Sequence, residues 1–498
     1  MHPVSFVKIA TLLVAANFVF ASPSYSEPTA IEIGAKADQN LRDFDFMVEK
    51  ISKNYAGYDA KIAGDGRQAL ANLTERLRKK ASSASSEELA MLMSDWMGFF
   101  HDEHTQITSL SGSSGGEPSA NSIPRLAWTE ASVREKLKAL GKRRNPLEGI
   151  WSIDGDRYRL AVMREGPTLN AFYGVVLSST ADNWVKGMVK AHIQSNAEGG
   201  YSLKYRTGNF ATVQLPASLQ AEGAIFDVGD YGAWNREWPE IKNKADIDKK
   251  FPRGEFFIRS LSAKTLWLRI PNFHDDNAAA FSKLLKNNAQ ALRSTENLII
   301  DARSNGGGSD FVYSPLMPYL YTRPIYSIGI EMRASADNVA LRRAVADQLR
   351  RSPEGIDTAK DLDAQNLIME KHLGSYVQTD PKPFSILNLG QALPYPKRIV
   401  VLIDLAGSSG EEFLLAARQS SKVMLMGQQN SRGVLDFANV VSMPSPTGRF
   451  ELQWATSRSL RLPEDPVDSA GIVPDVRIPE TVTNPISYAQ NWLEKGGR

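Results

Sequence analysis

Two adjacent serines, Ser408 and Ser409, lie where a strand pattern changes to a helix pattern. The aliphatic run 399–403 is bounded by polar residues and predicts a buried strand, and the residues from 411 onward predict a helix. At the N-terminus of a helix the backbone amides are unpaired and the helix dipole is positive. A serine hydroxyl placed there can attack a carbonyl carbon, with donors for the oxyanion already close by.

A purely structural interpretation fits the same residues. Ser408 and Glu411 have the Ser-x-x-Glu spacing of a helix capping box, and so have Ser409 and Glu412. From this stretch alone, a nucleophile and a helix cap both remain open.

Two further segments carry residue types that suit a site near these serines. Leu298–Ile300 predicts a second buried strand, which leads through Asp301 to the glycines 306–308. Consecutive glycines let a ligand approach the backbone closely. The third segment, Asp468 to Asp475, reads Asp-Ser-Ala-Gly-Ile-Val-Pro-Asp and is expected to close the same region.

In this order, the Asp-x-Arg-x-Asn-Gly-Gly-Gly loop, the Ser-x-x-Glu helix start and the Gly-x-x-Pro-Asp motif resemble the C-terminal processing (tail-specific) serine peptidases, in particular their tricorn-like branch. The resemblance covers residues 260–480 well and extends more weakly to residues 38–110. It implies an α/β catalytic domain of the Clp-protease/crotonase type and the hydrolysis of peptide bonds.

The resemblance also implies which serine reacts. Ser408 is the implied nucleophile because Glu411-Glu412-Phe413 aligns best with the family's Glu-x-Phe, and Ser409 is the competing candidate. The backbone amides of Gly307 and Ser409 are the implied oxyanion hole.

The identity of the general base separates two branches of this family. The processing peptidases use a lysine, but the corresponding stretch 427–433 has none, and the guanidinium of Arg432 does not lose its proton near neutral pH. The tricorn-like members use a histidine in an Asp-x-His-Thr segment, which residues 102–105 match. His104 is therefore the implied base, with His101 as the alternative and a helix-capping histidine as the structural interpretation.

The third member of the implied triad is acidic. In the tricorn-like branch it lies three positions before the glycine of the Gly-x-x-Pro-Asp motif, which is Asp468 in this chain. Glu464 and Asp465 compete for that role, and a solvated loop carboxylate is the structural alternative. In the implied mechanism Ser408 attacks a peptide carbonyl, His104 transfers the proton, and water hydrolyses the acyl-enzyme.

Composition limits the other classes of function. The chain of 498 residues is 42% hydrophobic, which is a globular composition, and its formal net charge of +2 argues against nucleic acid or an anionic membrane as the main partner. It has no cysteine, which excludes disulfides, thiolate metal sites and a cysteine nucleophile. We expect no metal and no cofactor, and a peptide or unfolded protein as the substrate.

The N-terminus predicts export. Lys8 precedes the apolar run 9–21, which is too short to span a bilayer but suits a secretory signal, with cleavage after Ala21 or Ser26. We therefore expect a signal peptide over residues 1–26, no membrane span, and a periplasmic or secreted protein.

The remaining chain predicts three domains. Apolar residues at helical spacing favour a helical domain over 27–125, with a Gly/Ser-rich linker at 112–122. Alternating apolar residues favour a β-meander or small barrel domain over 126–252. Strands alternating with helices over 253–498 favour the α/β catalytic domain. The family usually carries a peptide-binding PDZ domain in the middle, but this segment looks more like a lipocalin-type barrel.

Two rival functions remain open at this level. Vertebrate retinoid-binding relatives of the implied fold bind apolar ligands without proteolysis, and the barrel and the missing lysine are compatible with such a binding module. The same triad would also serve a hydrolase of a non-peptide ester or amide.

Overall fold

The computed structural model describes residues 30–109, 123–153, 157–164, 171–195, 201–208, 210, 212–220, 223–228, 233–241, 256–351, 355–468, 470–482 and 484–497. The chain divides into two compact units. The first consists of Met1–Ile107, Glu255–Pro446 and Glu451–Arg498, and the second of Thr108–Gly254 and Thr447–Phe450. The expected signal peptide at 1–26 and the linker at 112–122 lie outside the described residues.

The helices follow one another along the chain in this order. They are α1 (Ala30–Asn54), α2 (Tyr58–Lys61), α3 (Gly66–Ala81), α4 (Ser86–Gly98), α5 (Glu130–Leu140), α6 (Ala278–Asn287), α7 (Ala289–Leu292), α8 (Asp310–Tyr313), α9 (Met317–Leu320), α10 (Ala336–Leu349), α11 (Ile356–Glu370), α12 (Ser409–Arg418) and α13 (Pro485–Glu494).

The strands in chain order are β1 (Gln106–Ser109), β2 (Gly149–Ile153), β3 (Tyr158–Arg164), β4 (Ala171–Ser179), β5 (Val189–Ser195), β6 (Tyr201–Arg206), β7 (Thr212–Gln220), β8 (Ile225–Asp227), β9 (Ala233–Trp238), β10 (Phe257–Ser260), β11 (Thr265–Arg269), β12 (Asn297–Asp301), β13 (Ile325–Ile328), β14 (Ile330–Arg333), β15 (Tyr376–Val377), β16 (Phe384–Leu387), β17 (Arg398–Leu402), β18 (Val423–Gly427), β19 (Phe437–Pro444), β20 (Phe450–Ser459) and β21 (Val476–Arg477).

Within the described residues, the first unit is built on a six-stranded sheet in the order β10-β11-β12-β17-β18-β21. β10 is antiparallel to β11, and the other neighbours are parallel. Asp301 at the end of β12 pairs with Leu402 at the end of β17. Because parallel strands end at the same edge of a sheet, this register brings the glycine loop after β12 next to the serines after β17.

Alternation along β17 explains why its aliphatic run has no polar face. Val401 packs with Phe413 of α12 in one core cluster, while Val400 packs with Leu493 of α13 in another. Both faces of the sheet are thus covered by helices, as a continuous aliphatic run in a parallel sheet requires. Burial of β17 fixes the point from which the chain turns into α12.

The N-terminal helices of the first unit position the segment that carries His104. α4 begins with a capping box in which Ser85 and Glu88 satisfy each other's backbone amides. Trp96 on its buried face donates a hydrogen bond of 2.7 Å to the Thr74 hydroxyl of α3. α4 therefore has a fixed exit point into the loop that follows.

The second unit contains a closed antiparallel barrel of the strands β2 to β9, which confirms the barrel predicted from alternation. Trp151 and Phe226 belong to its apolar core. Lys190 is completely buried there, with its ammonium 3.8 Å from the Trp184 ring centroid, and it donates to the carbonyl of Arg206 at 2.9 Å. Aromatic rings and a carbonyl thus replace the water that this cation loses.

None of the helices in the described part of the chain is both long enough and apolar enough to cross a bilayer.

Candidate active site

Ser408 lies on a sharp turn between β17 and α12. Its backbone angles are φ 53° and ψ −126°, a conformation that residues with a side chain rarely adopt and that costs on the order of 1–3 kcal/mol. Leu405 earlier in the same turn also has a positive φ of 58°. Such strain persists only where the surrounding contacts hold it. Here it places Ser408 at a bend, outside the regular backbone of both β17 and α12.

Glu411 supplies those contacts. Its carboxylate is fully buried and accepts hydrogen bonds from the amide of Ser408 at 3.2 Å, the hydroxyl of Ser431 at 2.5 Å, and the amides of Gly433 at 2.7 Å and Val434 at 2.9 Å. Burial raises the pKa of Glu411, and these donors partly offset that rise. One side chain therefore ties the turn to the loop 431–434.

The capping interpretation is therefore partly correct. Glu411 binds the Ser408 amide as in a capping box, while its own amide donates to the Ser408 carbonyl at 2.7 Å. The Ser408 hydroxyl donates to none of the described residues. The turn is thus held through the backbone of Ser408.

The glycine loop meets the turn at Gly307, whose φ is +95°. A Cβ at this position would lie 2.7 Å from the Cβ of Ser408 and 2.8 Å from the carbonyl oxygen of Gly407. Only glycine allows this approach. The loop is fixed on its other side by Phe273, which donates to the Gly307 carbonyl at 2.8 Å and accepts from the Ser309 amide at 2.7 Å.

The two amides expected to form an oxyanion hole differ in their partners. The Ser409 amide has no hydrogen-bond acceptor among the described residues, as expected for the first residue of a helix. The Gly307 amide donates to Oδ1 of Asn305 at 2.9 Å. The structure therefore has one expected donor open and the other bound to a side chain of its own loop.

The hydroxyls of the two serines also differ. Ser409 is 2% exposed, and its hydroxyl donates to the carbonyl oxygen of Gly308 at 2.9 Å. Ser408 is 7% exposed. Because a hydroxyl has one proton to donate, that of Ser409 is committed to the glycine loop.

His104 is held in one tautomer by a backbone carbonyl. Its ring Nδ1 lies 2.6 Å from the carbonyl oxygen of Phe437, and its own amide donates to Oδ1 of Asp102 at 2.8 Å. A carbonyl only accepts, so in the neutral ring Nδ1 carries the proton and Nε2 keeps its lone pair. This is the tautomer that a general base needs. His101, the alternative base, is exposed.

Asp102 and Tyr55 complete the surroundings of this histidine. Oδ1 of Asp102 is 3.8 Å from Nδ1 of His104, and its side chain is 1% exposed. Oδ2 accepts a hydrogen bond of 2.6 Å from the Tyr55 hydroxyl. The Tyr55 ring also packs against Phe437, with 5.9 Å between centroids. Tyr55 thus supports both groups that orient His104, a role that the sequence did not indicate.

Asp468 lies in the same neighbourhood. Its Oδ1 accepts from the amides of Leu435 at 2.8 Å and Asp436 at 2.6 Å. Burial raises the pKa of Asp468 to about 7, and the nearby charges of Asp436 and Asp102 raise it further. Glu464 and Asp465, the competing carboxylates, are exposed.

Asp102 links His104 and Asp468, because its Oδ1 lies 3.8 Å from Nδ1 of His104 and its charge acts on Asp468. Within the described residues, His104 makes no hydrogen bond with Ser408 or with Asp468. The assignment of all three to a triad stays a prediction.

Arg432 connects the two parts of the site. Its amide donates to the carbonyl of Ala406 in the serine turn at 2.7 Å, and its guanidinium forms an ion pair of 3.2 Å with Glu103, next to His104. Lys61 is the lysine on this side, with its ammonium 5.2 Å from the Phe437 ring centroid. In the described part of the chain, no cluster of three or more metal-binding side chains is found.

Residues 264–478 match the model of peptidase family S41. This segment contains the glycine loop, the serine turn with Glu411, and Asp468, whereas His104 and Asp102 lie outside it. The chain is a serine-type peptidase, which makes it a hydrolase. Over residues 264–478 the chain is similar to this peptidase family.

A search of curated proteins gave no match. Three solved structures align over most of their own chains. Mature CPAF complexed with lactacystin is 14% identical, with a TM-score of 0.47 and coverage of 93% of this chain and 98% of that chain. A putative peptidase from Parabacteroides merdae is 10% identical, with a TM-score of 0.42 and coverage of 91% and 96%. The photosystem II D1 C-terminal processing protease is 12% identical, with a TM-score of 0.35 and coverage of 88% and 93%.

Proposed function

We propose that this chain is an exported peptidase that hydrolyses peptide bonds through an acyl-enzyme on Ser408. The observation that carries the proposal is the strained turn at Ser408, next to an open helix amide at Ser409 and in contact with Gly307. Strain at a turn between a strand and a helix is characteristic of residues that must present a reactive side chain. The alternative nucleophile, Ser409, has its hydroxyl bonded to the Gly308 carbonyl.

His104 is the proposed general base. Its Nε2 takes the proton of Ser408 during attack and gives it to the leaving amine, while Nδ1–H stays on the Phe437 carbonyl. In apo enzymes such catalytic hydrogen bonds are often long and form only when substrate is bound. Binding of the peptide is therefore expected to bring Nε2 to the Ser408 hydroxyl.

The proposed oxyanion donors are the amides of Ser409 and Gly307. The Ser409 amide is open and lies at the positive end of α12. The Gly307 amide joins it by exchanging Oδ1 of Asn305 for the oxyanion as its acceptor. Removing one such donor typically lowers kcat by about 10²–10³-fold.

Asp468 is the proposed acidic member. It stabilises the imidazolium through its charge, and Asp102 assists because its Oδ1 is the nearer carboxylate oxygen, 3.8 Å from Nδ1. Both act on a ring whose direction is set by Phe437. Exchanging either for its amide should therefore slow the reaction less than removing His104.

The proposal includes the organisation expected from the sequence. A signal peptide over 1–26 directs the chain to the periplasm or the medium, followed by the helical part 27–125, the barrel part 126–252 and the catalytic part 253–498. The catalytic part is proposed to have the Clp-protease/crotonase arrangement, and the substrate is a peptide or an unfolded protein.

A fluorophosphonate probe with peptide mapping tests the nucleophile. We expect one adduct, on Ser408, that is lost in Ser408→Ala together with peptide turnover. Ser409→Ala is the comparison variant for labelling, because it removes the neighbouring hydroxyl and leaves its backbone amide in place: the adduct should stay on Ser408, whatever the turnover of the variant. An adduct on Ser409, or full turnover by Ser408→Ala, would overturn the proposal.

The same assay tests the base. His104→Ala should lose both labelling and turnover, while His101→Ala, three residues away and exposed, should keep them. Equal activity of His104→Ala and the wild type would contradict the assignment.

A further inference from the structure

Asp310 has a buried carboxyl group that the proposed mechanism does not use. It begins α8, directly after the glycine loop, and its Oδ1 is shielded from solvent with no hydrogen-bond partner among the described residues. A buried oxygen without a partner is costly and calls for a physical explanation.

The groups that face this carboxyl come from three elements. On α12 it interacts with the hydroxyl of Ser409 and the charge of Glu412, and after β20 it interacts with the charge of Arg461. On its own helix it faces Tyr313. Arg461 is not free to neutralise Asp310, because it pairs with Glu412 at 3.3 Å.

Aromatic packing fixes α8 against α12. The ring of Tyr313 lies 5.4 Å from that of Phe413, and both contact Phe273, at 5.2 Å and 5.7 Å between centroids. Asp310 therefore cannot turn toward solvent without disturbing this cluster.

Burial raises the pKa of Asp310 to about 8, and the neighbouring charge of Glu412 raises it further. At neutral pH the group is therefore a carboxylic acid with an O–H donor. A protonated carboxyl suits a site that already contains one carboxylate and a single arginine.

The protonation state of Asp310 decides what Ser409 can do. The single hydroxyl proton of Ser409 is donated to the Gly308 carbonyl at 2.9 Å. A protonated Asp310 can donate to the Ser409 oxygen and leave that bond intact. An ionised Asp310 is a stronger, charge-assisted acceptor and would draw the Ser409 proton away from Gly308.

We propose that Asp310 is a positioning residue that, in its protonated form, holds the glycine loop against the serine turn through Ser409. Ionisation of Asp310 breaks the hydrogen bond from Ser409 to the Gly308 carbonyl. The neighbouring Gly307, whose Cα faces Ser408, is then no longer held in place. The loop then misplaces the oxyanion donors. This inference rests on the proposed role of Ser408.

The pH dependence of kcat and KM tests this role. Wild-type kcat should fall about tenfold between pH 7 and pH 9, because one pH unit above its pKa about a tenth of a carboxyl stays protonated. KM should change little. Asp310→Asn keeps the shape and an N–H donor but cannot ionise, so its activity at pH 7 should stay within about threefold of the wild type, without the alkaline fall.

Asp276→Asn is the matched control, because it removes an exposed carboxylate shortly before α6. It should retain the alkaline fall of the wild type. The same alkaline fall in Asp310→Asn as in the wild type would overturn the proposal.

An infrared titration gives a readout that does not depend on turnover or on the stability of one variant. Ser408→Ala should show a protonated carboxylic acid band at pH 7 that is missing in Ser408→Ala/Asp310→Asn. If Asp310 is ionised at pH 7, this inference fails while the proposed function stands. If Ser408→Ala is fully active, the proposed function fails whatever the infrared result.

Discussion

The ring Nδ1 of His104 is bound to the carbonyl oxygen of Phe437, 333 residues further along the chain, at 2.6 Å. This bond joins the loop after α4 to the first residue of β19. In many hydrolases a carboxylate occupies this position on the imidazole and stabilises the imidazolium. Here a neutral carbonyl sets the direction of the ring, and the Asp102 carboxylate lies 3.8 Å from Nδ1.

The first prediction concerns Tyr55, which supports this arrangement. Tyr55→Phe keeps the ring against Phe437 but removes the hydrogen bond to Asp102. We expect kcat to fall by about tenfold, because a lost hydrogen bond to a charged group is worth about 1.5 kcal/mol. KM should change little, and steady-state kinetics measure both.

Tyr58→Phe is the matched control, since the rings of Tyr55 and Tyr58 both pack on Phe100, but Tyr58 is the first residue of α2 and its hydroxyl does not bind Asp102. It should keep wild-type kcat. A Tyr55→Phe variant with unchanged kcat would show that Asp102 does not need this bond.

The second prediction concerns Glu411. Glu411→Gln keeps the size of the side chain but puts an N–H₂ group among donors that include the amides of Gly433 and Val434. Because a buried group with mismatched partners costs about 1–3 kcal/mol, we expect a lower denaturation midpoint and loss of fluorophosphonate labelling. Glu480→Gln, at an exposed position, is the control. Wild-type labelling of Glu411→Gln would show that the Glu411 carboxylate is not needed to hold the serine turn.

Features of the site that depend on local pattern could be predicted from the sequence. The change from strand to helix at Ser408 and the glycines before Ser309 are visible in the residue order, and the structure brings both to one edge of the sheet. The barrel also follows from local alternation, because period two marks strands with one buried face.

Features that depend on the backbone or on distant packing could not be predicted. Phe437 acts through its carbonyl, which every residue has, so no residue type marks it. Asp310 looks like an ordinary acidic residue at the start of a helix, and only the packing of α8 against α12 buries its carboxyl. The Ser-x-x-Glu spacing pointed to Glu411 but could not reveal its partners at 431–434.

The third prediction concerns Gly307. Gly307→Ala would place a Cβ 2.7 Å from the Cβ of Ser408, and it would also adopt a strained φ of +95°. We expect turnover to be lost, since either the loop or the serine turn must move. Gly374→Ala is the matched control, because Gly374 has a φ of +90° and open space around its Cβ position.

Gly374→Ala should thus lower the free energy of unfolding only by the backbone strain, about 1 kcal/mol, and should keep wild-type turnover. Thermal unfolding and turnover measured on both variants separate strain from contact. Full activity of Gly307→Ala would mean that turnover does not need the close approach of the glycine loop to Ser408.

The fourth prediction tests whether a lysine replaces His104 as the base. Lys61 is close to the Phe437 ring, while Lys422 donates to the carbonyl of Leu393, away from the site. We expect Lys61→Met and Lys422→Met to retain kcat within about threefold, because neither ammonium contacts Ser408 in the structure. Loss of turnover in Lys61→Met with full turnover in His104→Ala would reverse the assignment of the base.

The last prediction concerns Asp468, for which activity and stability should respond in opposite directions. Burial raises the pKa of Asp468 to about 7, whereas in the unfolded chain it is expected near the ordinary value of about 3.9. Between these two values the folded state holds a proton that the unfolded state has lost. Stability should therefore decrease as pH rises from about 4 to about 7.

Asp468→Asn removes this ionisation and keeps an oxygen that can accept from the amides of Leu435 and Asp436. At pH 7 its melting temperature should be higher than that of the wild type, with the difference disappearing near pH 4. Its kcat should be lower, because it lacks the charge that we propose stabilises the imidazolium of His104. Thermal unfolding and kinetics over this pH range check both. If Asp468→Asn is less stable than the wild type at pH 7, the ionised form of Asp468 stabilises the fold. If its kcat is also unchanged, the charge of Asp468 has no role in catalysis.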